Sequence, residues 1–154
     1  MSVAALVTWI VTAVLGATML ATWIRAGGTS GPRAGGFPPP VVFGHFLLAA
    51  AGLVVWIVYL TTDEDAWAWT AFVVLVVVAG LGDVLVLRWN RLRRAKGMVS
   101  SGASGSRAEG SMSTSAGDGA PERRIPAGLV GAHGVFAVAT VVLVLLVALG
   151  VGGS

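Results

Sequence analysis

Four long apolar runs leave this chain few folds to choose from. They cover 3–24, 41–60, 66–87 and 127–149. A helix needs about 20 mostly apolar residues to cross the hydrocarbon core of a bilayer. None of the runs contains an internal proline, and only the third contains a charged residue. All are too long for strands or for the core helices of a soluble domain. The expected fold is an all-α integral membrane protein, an up-down bundle of four transmembrane helices forming a single domain over 1–154. Composition agrees: 56% of residues are hydrophobic and 11% charged, against about 25% charged in soluble domains.

The first run does not read as a signal peptide. Met1-Ser2 before it carries no basic residue, and the run exceeds the roughly 7–15 residues of a signal core. Net charge is +3 and there is no cysteine. Disulfides and thiolate metal sites are therefore excluded. The basic residues sit between apolar runs, so the expected partners are the lipid bilayer and other membrane proteins, and no nucleic acid.

Basic residues also orient the chain, because cytoplasmic loops are enriched in Lys and Arg. The first loop carries Arg25 and Arg33. The third carries Arg88, Arg91, Arg93, Arg94, Lys96, Arg107, Arg123 and Arg124, which completes the ten basic residues. The second loop, Thr61-Thr62-Asp63-Glu64-Asp65, has three acids and no base. A multi-pass protein of the cytoplasmic membrane with both termini outside is expected. Tyr59, Trp67 and Trp69 would then mark the outer interface, and Trp23 and Trp89 the inner one. In the third loop, 97–121 is rich in Gly, Ser and Ala. It cannot bury enough apolar surface to offset its ordering entropy, so a flexible cytoplasmic linker is expected.

The second and fourth runs resemble each other. With His45 and His133 aligned, Ala49 matches Ala137, Ala51 matches Ala139, and a small residue follows in each. The match hints at a duplicated two-helix hairpin, as in many membrane proteins. The first and third runs share mainly a mid-span glycine, Gly16 and Gly80.

His45 and His133 are the only histidines. Both lie near the cytoplasmic end of their runs, at a depth similar to Asp83 on the third and Met19 on the first. Residues at i, i+4, i+7 and i+11 share a helical stripe. From His45 the stripe passes Ala49, Gly52 and Trp56; from His133, Ala137, Thr140 and Val144; back from Asp83, Gly80, Ala79 and Val76. Small residues mark helix-packing faces in membranes, so all three polar groups are expected to point inward and meet. Such a cluster has three chemical uses. It can fix helix register by hydrogen bonds. The two histidines can be axial ligands of a b-type haem in membrane electron transfer. His45, Asp83 and His133 together can bind a divalent metal or relay protons. No nucleophile–base pair, phosphate loop or dinucleotide fingerprint is present. The leading expectation is a non-catalytic accessory or scaffold protein, with the haem and metal or proton-relay roles as alternatives.

The Gly44-His45 to Tyr59 stretch, and Glu122-Arg123-Arg124-Ile125-Pro126 leading to His133-Gly134 and on through Ala137-Val138-Ala139-Thr140 to Val144, resemble small four-helix membrane proteins of high-GC Gram-positive bacteria. That resemblance implies the architecture and a cytoplasmic-membrane location. It implies no activity.

Overall fold

The computed structural model describes residues 1–30, 36–102 and 121–151, with backbone alone at 95–102 and Arg123. Four α-helices form an up-down bundle: α1 (Ser2–Arg25), α2 (Pro39–Thr62), α3 (Asp65–Gly102) and α4 (Ala127–Ala148), with a short 3-10 turn at Pro121–Arg124 before α4. Each is long and apolar enough to cross a membrane, α3 through its stretch Asp65–Arg94. Among the described residues there is no strand.

Local chemistry sets the ends. Pro38 and Pro126 occupy the N-caps of α2 and α4 in extended conformation, where the missing proline N–H costs no helical bond. Each accepts the first two backbone bonds of its helix, from Val41 and Val42 and from Leu129 and Val130. At the end of α1, Gly27 adopts φ 82°. Its N–H bonds to the Ile24 carbonyl, and Gly28 N–H to that of Trp23. These are the paired bonds of a Schellman turn, which needs a left-handed residue. Gly150, φ 76°, closes α4 in the same way, with bonds to Val147 and from Val151 to Leu146.

The linker expected at 97–121 is corrected at both edges. Residues 97–102 continue α3 as helix, and Pro121 opens the 3-10 turn. The helix formers Ala95 and Lys96 carry α3 past the membrane-length segment. The remainder, 103–120, lies outside the described residues.

Neighbours in the bundle follow the ring α1–α2–α3–α4 and back to α1, so that α1 faces α3, and α2 faces α4, across diagonals. The most extensive packing joins α2 to α3 and α1 to α4. Each helix turns in a stripe with alternating spacings of three and four residues, the pattern of shallow-angle bundle packing. On α1 it runs Ala5, Trp9, Thr12, Gly16, Met19, Trp23. On α3 it runs Ala71, Leu75, Val78, Gly82, Leu85, Trp89. These stripes correspond position by position, and so do Val42–His45–Ala49–Gly52 on α2 and Val130–His133–Ala137–Thr140 on α4. The two hairpins are thus related by approximate two-fold symmetry. One detail of the sequence match changes: the counterpart of Gly16 is Gly82, since Gly80 is exposed.

Tryptophans divide between two roles. Trp67 and Trp69 are 37% and 42% exposed and face outward as interfacial residues do. Tyr59, Trp23 and Trp89 are buried. They belong to the interior, where Trp9, Trp56 and Tyr59 fill one end of the core, and Trp23, Val42 and Ile125 the other.

Candidate functional site

The diagonal helices α2 and α4 bring His45 and His133 together, with ring centroids 6.3 Å apart and planes inclined at 57°. Neither ring is free to turn. His45 Nδ1 lies 2.9 Å from the Val78 carbonyl on α3, and His133 Nδ1 lies 3.0 Å from the Thr12 carbonyl on α1. A carbonyl only accepts, so in both histidines Nδ1 carries the hydrogen and donates. That leaves Nε2 as the free nitrogen of each neutral ring.

Glycines make these bonds possible. Each ring edge rests one helical turn beyond its carbonyl anchor. A Cβ added at Gly82 would stand 3.1 Å from His45 Cε1, and one at Gly16 would stand 3.1 Å from His133 Cε1. A larger residue at either position would lift the ring off the carbonyl. Two histidines on one diagonal and two glycines on the other thus form a single device repeated by the two-fold relation.

Asp83 does not join it. Its side chain is exposed, as are Gly80, Ala79 and Val76 on the same stripe. Among the described residues no three His, Cys, Asp or Glu side chains gather as a metal-holding group. The expected His45–Asp83–His133 cluster is therefore corrected to a histidine pair. The physical reason is angular: Gly82 faces inward, and one further residue turns the chain by about 100°. Small residues at 79 and 80 looked like a packing face but line the outside of the bundle. Met19 packs in the apolar cluster around Trp23.

The chain matches no family model, no curated protein and no solved structure.

A second polar residue, overlooked in the sequence, lies at the basic end. Glu122 is only 3% exposed. Its Oε1 accepts from Trp23 Nε1 at 3.1 Å and from the Phe37 backbone N–H at 2.9 Å. Oε2 has no partner among the described residues. Glu122 thus ties the segment before α4 to the end of α1 and to the first loop. Beside it, Arg88 donates to the Gly36 carbonyl at 3.0 Å. In the sequence Glu122 stands as an acidic residue beside Arg123 and Arg124, with no pattern that signals burial.

Proposed function

We propose that this protein is a bis-histidine b-type haem protein of membrane electron transfer, in which His45 and His133 would hold the haem. The separation of the rings supports this most directly. Two imidazoles that held one metal between them through Nε2, at metal–nitrogen distances of about 2 Å as in zinc sites, would stand with ring centres about 6 Å apart. The observed 6.3 Å fits. The donor set fits too: metal-ligating histidines donate their other N–H to a carbonyl or carboxylate, which fixes tautomer and ring orientation. Val78 and Thr12 supply those carbonyls. When bound, haem supplies reversible one-electron exchange. The chain orients both imidazoles, keeps Nε2 unprotonated and surrounds the pair with apolar helices.

An absorption spectrum of the detergent-purified protein tests this. A Soret band and reducible visible bands are expected, and His45→Ala or His133→Ala should each abolish them. A colourless protein from cells supplied with haem precursor would overturn the proposal and leave the non-catalytic accessory role.

We further propose that the protein sits in the cytoplasmic membrane with both termini outside. The uneven distribution of Lys and Arg supports this. A reporter fused after Ser154 should be active outside, and one inserted at Ser104 inside. Cytoplasmic activity of the C-terminal fusion would reverse the orientation.

A further inference from the structure

We infer that the outer face of α3 around Asp83 docks the transmembrane helix of another protein, one that offers a basic side chain at that level. Asp83 is exposed on a helix segment that has the length and composition of a membrane span. It has no hydrogen bond or ion pair among the described residues. Around it lie Val76, Val84 and Leu87, all exposed and apolar. A carboxylate on such a face, even about one turn inside the span, is costly without a partner and marks a contact.

Nor does the carboxylate lean toward water. Side chains tilt toward the N-terminus of their helix, and for Asp83 that direction leads away from the Arg88 end and into the span. The nearest basic residue along the helix, Arg88, is engaged with the Gly36 carbonyl. One turn before Asp83, a Cβ added at Gly80 would meet nothing within 4 Å. An open glycine notch beside a polar side chain is how membrane helices approach closely and bond.

The occupant is not a second copy. All ten basic residues of this chain lie in loops or at span ends, and its two histidines are committed to the bundle interior. A foreign helix must bring the complementary charge.

Energy transfer in vesicles tests this. The labelled full-length protein is mixed with a synthetic single-span Leu/Ala helix carrying one Arg at the depth of Asp83, or Leu at that position. Association with the Arg helix should exceed that with the Leu helix by about threefold to tenfold, the range of interhelical polar bonds. Asp83→Leu should remove the preference, and Gly80→Leu should weaken it. Both positions are exposed, so both variants should keep the native helix content and melting profile, measured alongside. Equal association of the two helices, or a preference that survives Asp83→Leu, would overturn the inference. So would self-association of two labelled copies that is lost on Asp83→Leu.

Discussion

Trp23→Ala should cost about 3–5 kcal/mol, the range for a large aromatic removed from a packed interior, and much of the roughly 5–15 kcal/mol that holds a typical domain together. Trp23 is 1% exposed and packs edge-on against Phe43. Its indole N–H satisfies Glu122, so the substitution also removes a donor from a buried carboxylate, a separate penalty of about 1–3 kcal/mol. Gly28→Ala should be comparably damaging from the opposite direction. The Schellman turn folds Gly28 back over the indole, and an added methyl would overlap the ring. Thermal unfolding in detergent, followed by helical circular dichroism, checks both. A melting profile unchanged by either would show that this end of the bundle carries little of its stability.

Gly16→Leu and Gly82→Leu should each displace one histidine ring. The ring edge already stands at 3.1 Å from where the first added carbon would go, and the carbonyl anchor holds it from the other side. Overpacking of this kind costs about 1–3 kcal/mol. The larger effect falls on the site: either variant should lose the bis-histidine spectrum while retaining both histidines. Gly80→Leu is the control, because Gly80 has open space around it. A normal spectrum in the Gly16 and Gly82 variants would mean that the glycines do not position the imidazoles.

The four helices were legible because hydropathy and length are dictated by the bilayer itself. The inward stripes of α2 and α4 were legible too, since His45 and His133 each lead a run of small residues that ends in buried Trp56 and Val144. Asp83 was misplaced by a single position. Small residues do not single out the packing face of α3, because they occur on both sides of that helix: Gly82 beneath a histidine, Ala79 and Gly80 outside. Glu122 could not be found from sequence, since its burial depends on a tryptophan on α1 and a backbone N–H in the first loop. Those contacts exist only after the chain has folded back on itself.

The pairing of helices also has a consequence for synthesis at the membrane. α2 packs most extensively on the helix made directly after it, whereas α1 packs most extensively on α4, at the far end of the chain. At about 5–20 residues per second, the interval of about 100 residues between them lasts about 5–20 s. During that time Thr12 and Gly16 have no histidine to receive. Until α4 arrives and closes the ring, α2 is the one helix of this chain that α1 can pack on as it does in the finished bundle.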